Sequence, residues 1–201
     1  MTQSNTNSTG AGTATSLTAT FGSTPTQGDL LIAAAGGNSA LTMSSSGWSL
    51  AASETLIQSA YIWYKIAGAS ESTSVQVSVG SADTIVLAIM EFSSSGGWPS
   101  SPLDKTATNS AGTPGASIGT GTTGTTTSAN ELAVALVNPH GWSLGAPASP
   151  TWSNSYTNVA TVAGTTGATT SARVALFVAT NTLSSTYRWP RAAASRLTFR
   201  V

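Results

Sequence analysis

Few side chains in this chain could do chemistry, and they are widely spaced. His140 is the sole histidine, and it sits in "NPHGW" between two apolar runs. A nucleophilic triad needs such a histidine beside a serine and an acid. Serines are so frequent here that closeness in sequence selects none of them, and the turn setting makes His140 a turn residue. "GTGTTG" at 119–124 matches the G-x-G-x-x-G spacing. That motif cradles a pyrophosphate only between a strand and a helix. Here a Gly/Pro-rich stretch precedes it and "TTTSANELAV" follows, so it reads as a Gly/Thr loop. Cysteine is absent, which removes thiolate catalysis, disulfides and thiolate metal sites. The acids form no D-x-D-x-D run of the calcium-binding kind.

Glu91 is the acid of most interest. It ends the apolar run "TIVLAIMEF" (84–92), and a buried carboxylate needs a partner. An arginine of "RLTFRV" (196–201) is one expected partner. Paired carboxylates could hydrolyse glycosides, but the expected role is an ion pair or a hydrogen-bonded strand end. No catalytic residue, cofactor or metal site is assigned, and the chain is not expected to be an enzyme.

The remaining candidates are contact residues. Tryptophans number six, and flat rings are natural platforms for sugars. Trp98 ("GGWPSSP") and Trp152 ("SPTWSNS") lie in loops and are the candidate ligand contacts. Arg188, Arg191, Arg196 and Arg200 cluster near the C-terminus and are the candidate partner contacts. Residues 1–131 hold two lysines against seven acids, a net of −5, while residues 132–201 hold five arginines and no acid, a net of +5. Pairing within the molecule, or with an acidic neighbouring subunit, accounts for these arginines better than nucleic acid does, because the net charge is zero.

Composition frames these residues. Charged residues make up 7% of the chain, against roughly 25% in an ordinary globular domain. Hydrophobic residues make up 40%, too many for a disordered segment. The surface is therefore hydroxyl-rich and nearly neutral, which suits a subunit held in an assembly or exposed outside a cell. The first residues have neither a basic nor an apolar region of the signal-peptide kind. The longest apolar run, Ile85–Met90, is far shorter than the roughly 20 residues that span a bilayer. No membrane partner is expected.

The elements that must position these residues read as strands. Residues 1–16 read as a flexible polar arm. After it come "SLTATF" (16–21), "DLLIAAA" (29–35), "WSLAASETL" (48–56), "YIWYKIA" (61–67), "TSVQVSV" (73–79) and "TIVLAIMEF". A Gly/Pro/Ser-rich loop region follows. The later runs are "ELAVALV" (131–137), "NVATVA" (158–163), "RVALFVA" (173–179), "STYRW" (185–189) and "RLTFRV". Two-sided apolar runs such as "TIVLAIMEF" belong to central strands covered on both faces. Many short strands separated by turn residues predict an all-β fold.

The halves repeat. "GDLLIAAA" matches "NELAVALV", with Leu30 on Leu132 and Ile32 on Val134; Trp48 of the first "GWSL" falls on Trp142 of the second. "SAYIWYKIA" (59–67) falls on "SARVALFVA" (171–179) without a gap, and 86–91 falls near 196–201. The order of elements is kept, as internal duplication requires. The repeat makes Trp48 and Trp142 packing residues. The expectation is an antiparallel, jelly-roll-like β-sandwich over 17–201, built from pseudo-repeats at about 17–95 and 120–201, with the halves interleaved.

In "GDLLIAAAGG", "GWSLAASET", "YIWYKIAGASESTSVQVSV" and "AIMEFSSS" the chain resembles β-sandwich structural proteins of tailed bacteriophages. The resemblance implies a virion protein: a capsid decoration subunit, a head fibre or a tail-associated protein. The implied partners are major capsid or tail proteins, contacted as an oligomer, and the implied location is the virion after synthesis in the host cytoplasm. A carbohydrate-binding or adhesive module, using the loop aromatics on a surface glycan, is the alternative.

Overall fold

The structure, a computed structural model, describes residues 1–9, 14–55, 58–110, 120–128, 130–138, 151–165, 172–183 and 196–200, with backbone alone at 165, 172–175, 182–183 and 196–197. Thirteen strands lie among them, all paired antiparallel. They are β1 (Gln3–Ser8), β2 (Ala14–Thr20), β3 (Leu30–Gly37), β4 (Leu41–Met43), β5 (Ser49–Glu54), β6 (Ser59–Ile66), β7 (Ser74–Asp83), β8 (Ile85–Phe92), β9 (Leu103–Ala107), β10 (Glu131–Val137), β11 (Thr157–Thr165), β12 (Ala172–Leu183) and β13 (Arg196–Arg200).

The strands form three sheets, ordered β1-β8-β3-β6-β5, β2-β7-β4 and β11-β12-β10-β13-β9. The first sheet is the middle layer. Side chains alternate across a strand, so each two-sided run of β3, β6 and β8 feeds two cores. Leu31, Ala33, Ala35, Tyr61, Trp63, Ile85, Leu87 and Ile89 pack with Leu17, Ala19, Val75 and Val77 of the three-stranded sheet. Leu30, Ile32, Ala34, Ile62, Val86, Ala88, Met90 and Phe92 pack with Leu132, Val134, Leu136, Leu176, Val178 and Phe199 of the third sheet. All eight residues of β3 and of β8 are buried. Large and small side chains alternate across the strands: Trp63 stands opposite Ala33 and Tyr61 opposite Ala35. The two rings stack with centroids 5.1 Å apart. Each fully buried leucine or isoleucine contributes about 1.5–3 kcal/mol.

The duplication is visible in the topology. With β3 matched to β10, β6 to β12 and β8 to β13, the two five-stranded sheets have the same order, β1-β8-β3-β6-β5 and β9-β13-β10-β12-β11. Each half forms its own sheet, and the sheets stack face to face, so the halves are not interleaved. β1 packs against β11 and β5 against β9. Tyr64 meets Phe199 edge-on near the start of β10, and Gly36 near the end of β3 meets Asn138 just past the end of β10. β3 and β10 therefore run the same way, and the halves are related by a pseudo-two-fold axis parallel to the strands.

Registers correct the sequence match. Leu30 stands opposite Phe92, and Leu132 opposite Phe199. The match of 86–91 to 196–201 is thus out by three positions, and an odd slip exchanges the faces. The ungapped match of β6 to β12 is out by four, since Ile66 faces Leu30 and Thr182 faces Leu132. An even slip keeps the faces, which is why hydrophobicity hid it.

The segment read as an arm contains β1, which pairs with β8 from Gln3↔Glu91 to Ser8↔Val86. The loop region after β8 contains β9, and β4 is a further short strand. "STYRW", His140, Trp142 and Trp189 lie outside the described residues.

Candidate functional site

β3 and β10 start at the same end of the sandwich, and four acids gather there. Asp29 precedes β3, Glu91 is near the end of β8, Asp104 is in β9 and Glu131 begins β10. They form two carboxyl pairs, one in each half.

In the first pair Glu91 is 1% exposed. Its carboxylate accepts from Gln3 Nε2 and, at 2.7 Å, from the Thr26 amide. The Asp29 carboxyl lies beside that of Glu91. Burial pushes the Asp29 carboxyl up, and the hydrogen bond and charge of Glu91 push it further, against the opposing charge of the Met1 amino group. The expected arginine partner of Glu91 is replaced by Gln3, Thr26 and Asp29. A strand read as an arm supplies the first of these.

In the second pair Glu131 is fully buried, and its Oε1 accepts from the Ser128 amide at 3.2 Å. Burial pushes Glu131 up; hydrogen bonds from Thr198 and Ser128 oppose this, and Asp104 adds to it. Asp104 moves the other way. Burial alone would raise it, but the Thr127 hydroxyl and amide, Glu131 and Lys105 together hold it below the ordinary range. Lys105 Nζ lies 3.7 Å and Arg200 Nε 3.9 Å from Asp104 Oδ1.

The opposite end carries an amide network. Gln58 Nε2 donates to Asn38 Oδ1 at 3.0 Å, and Asn38 Nδ2 donates to Asp83 Oδ1 at 2.7 Å. Burial pushes Asp83 up, and hydrogen bonds from Asn38, Ser39 and Thr84 outweigh it, so its carboxyl lies below the ordinary range. Asn138 Nδ2 donates to Ser59 O at 2.8 Å, tying the third sheet to the middle one.

The candidate contact residues are dispersed. Trp98 packs partly buried against the core between the five-stranded sheets, and its Nε1 donates to Phe92 O at 2.9 Å. Trp152 is half-buried beside a turn in which Asn154 and Ser155 both have φ of 60°. Its Nε1 donates to Asn158 Oδ1 at 3.3 Å, and its ring lies 6.3 Å from that of Tyr156. Arg200 is half-exposed beside Asp104. Arg196 pairs through its backbone with Ala107 and Ala135. Arg188 and Arg191 lie outside the described residues. Trp48 packs partly buried against the other core, as its place in the repeat suggested.

Glycosidases that retain configuration hold their two carboxyls about 5 Å apart around a sugar. Asp29 and Glu91 lie beside each other, with the Glu91 carboxylate held by the Thr26 amide and Gln3. Among the described residues no group of three His, Cys, Asp or Glu side chains could hold a metal ion. No described helix is long and apolar enough to cross a membrane.

The side chains that sequence reasoning missed are Gln3, Asn5 and Asn7. Asn5 Nδ2 donates to Thr20 O at 2.6 Å and Asn7 Nδ2 to Thr18 O at 2.7 Å. Gln3 Nε2 donates to Ser23 O at 3.1 Å. Their spacing of two was the available signal, because amides at alternate positions share one face of a strand. No family model matches this chain, and neither a curated protein nor a solved structure matches it significantly.

Proposed function

We propose that this chain is a non-enzymatic structural subunit of a tailed-bacteriophage virion, with capsid decoration as the leading role and major capsid or tail proteins as partners. The reading rests on the resemblance of about residues 16–201 to tailed-phage β-sandwich proteins. The observation that carries it is the use of charge. Asp29, Glu91, Asp104 and Glu131 pair inside the molecule, and Glu71 pairs with Lys65 at 2.8 Å. The strands at the surface then present mainly hydroxyls and amides, as in "QSNTNS" of β1 and the outer positions of β2 and β7. Such a surface suits close packing against neighbouring subunits, where unpaired charge is costly to bury. Mass spectrometry of purified particles tests the reading. The chain is expected in stoichiometric amounts, and its absence from particles sinks the proposal.

A second reading is favoured by Trp152. Its ring, the neighbouring Tyr156, and Asn158 combine an apolar plane with an amide in the manner of a sugar contact. Glycan-array binding that disappears in Trp152→Ala supports it; binding unchanged by that substitution removes it.

A further inference from the structure

β1 contains no apolar side chain, yet it completes two sheets at once. One edge of its backbone pairs with β8, and Thr2 N and Thr9 N extend the ladder to Glu91 O and Ile85 O at 2.8 and 3.1 Å. Its alternate side chains reach β2 and the segment just after it, where Asn5 and Asn7 donate to the carbonyls of Thr20 and Thr18 and Gln3 to that of Ser23. Each asparagine works twice: Asn5 Oδ1 accepts from Thr6 N at 2.7 Å, and Asn7 Oδ1 accepts from Ser8 N at 2.9 Å. These amides cap the outward N–H groups of β1 and the outward carbonyls of β2 together.

β1 therefore fills a slot between the edges of β8 and β2. An empty slot would leave both edges unpaired, together with one partner of the buried Glu91, and open edges are templates for another strand. The slot reads its occupant through backbone and through amides at alternate positions. Nothing in that recognition requires the occupant to be covalently joined to the slot. In the sequence β1 is linked to β2 through residues 9–13, "TGAGT". The counterpart strand β9 carries "LDKTA", which has no amide, so β1 is the amide-bearing strand of the two.

We propose that β1 is an exchangeable strand: Gln3–Ser8 of one copy fills the slot between β8 and β2 of a second copy, linking identical chains. The occupant is the second copy's β1 because that strand carries the Gln-x-Asn-x-Asn pattern the slot reads. Closed and exchanged forms contain the same bonds, so concentration shifts the balance between them. The chain's zero net charge adds no long-range repulsion. The inference concerns association of the pure protein and stands or falls separately from the virion reading.

The absence of cysteine makes a clean test possible. Thr2 Oγ1 lies 3.3 Å from Ser93 Oγ across the β1–β8 edge. Full-length Thr2→Cys and Ser93→Cys chains are mixed at high concentration, refolded together from urea and oxidised gently. Exchange predicts a covalent heterodimer several-fold in excess of both homodimers and of a control using Ser100→Cys. Adding Asn5→Ala and Asn7→Ala to the Thr2→Cys chain is expected to reduce the heterodimer to the control yield. A heterodimer yield equal to the control, or one indifferent to the asparagines, overturns the proposal.

Discussion

Phe92 and Phe199 occupy equivalent places in the two stacked sheets: each stands in register opposite the leucine that opens the apolar stretch of its central strand, Leu30 and Leu132 respectively. Both point into the core between the sheets. Phe199 is fully buried and meets Tyr64 edge-on with centroids 5.5 Å apart. Phe199→Ala is expected to lower stability by about 3–5 kcal/mol and Phe92→Ala by a similar amount. Urea unfolding of the two variants checks this. A loss below about 1 kcal/mol for either would mean that its sheet carries little of the shared core.

The carboxyl pairs predict an unusual pH profile. Asp29 and Glu131 keep their protons to higher pH in the folded chain than in the unfolded one. Their stabilising contribution is complete below the ordinary carboxylate range and is lost as pH rises through their raised values. Asp104, Asp83 and Glu71 do the opposite: their contribution exists above the ordinary range and is lost as pH falls through their lowered values. Asp29→Asn is therefore expected to flatten the decline on the alkaline side of the carboxylate range while leaving the acid limb unchanged. Unfolding free energies measured from about pH 3 to 8 decide it. An unaltered alkaline slope would contradict the upward push on the Asp29 carboxyl.

Gly164 of β11 lies where the third sheet meets Thr84. A Cβ there would come within 2.5 Å of Thr84 Cγ2. Gly164→Ala is expected to destabilise by about 1–3 kcal/mol, the range for overpacked cores. Gly80→Ala, where the added Cβ meets nothing within 4 Å, is the matched control and is expected to be neutral or slightly stabilising. Thermal midpoints of the pair test the closeness of the two sheets.

The two loop tryptophans should separate by experiment. Trp98→Ala removes packing against the inter-sheet core and the bond to Phe92 O, at a cost of about 2 kcal/mol. Trp152→Ala removes one side of an aromatic pair on a turn and is expected to cost about 1 kcal/mol or less. Chemical unfolding distinguishes them. Equal losses would place Trp152 in a structural role and weaken the sugar-contact reading.

The middle layer was readable because β3 and β8 are apolar on both faces, a pattern that only a covered strand can satisfy. The alternation in "TSVQVSV" likewise exposed β7 as one-sided. The repeat gave the pairing of elements but not their registers: a period of two hides the even slip of β6 on β12, while the odd slip of β8 on β13 exchanges the faces of β8, which is apolar on both. β1 and β9 were hidden for a different reason. Each is a polar edge strand, held by backbone ladders, amides or charge pairs and not by an apolar run. Glu91 was recognisable as an acid in need of a partner. Its partners were not recognisable, because Gln3 lies 88 residues away in sequence and Asp29 looks like an ordinary turn residue.

The place of β1 also sets a clock during synthesis. β1 is made before β8, and Gln3 cannot meet Glu91 until 88 more residues have been added. At roughly 5–20 residues per second, β1 waits on the order of several seconds beside the ribosome with no lattice of its own to join. An apolar strand exposed for that time would invite aggregation; "QSNTNS" stays soluble in water while it waits. On a polysome, where sister chains are close together, the same interval is when a neighbour's finished β8 becomes a competing destination.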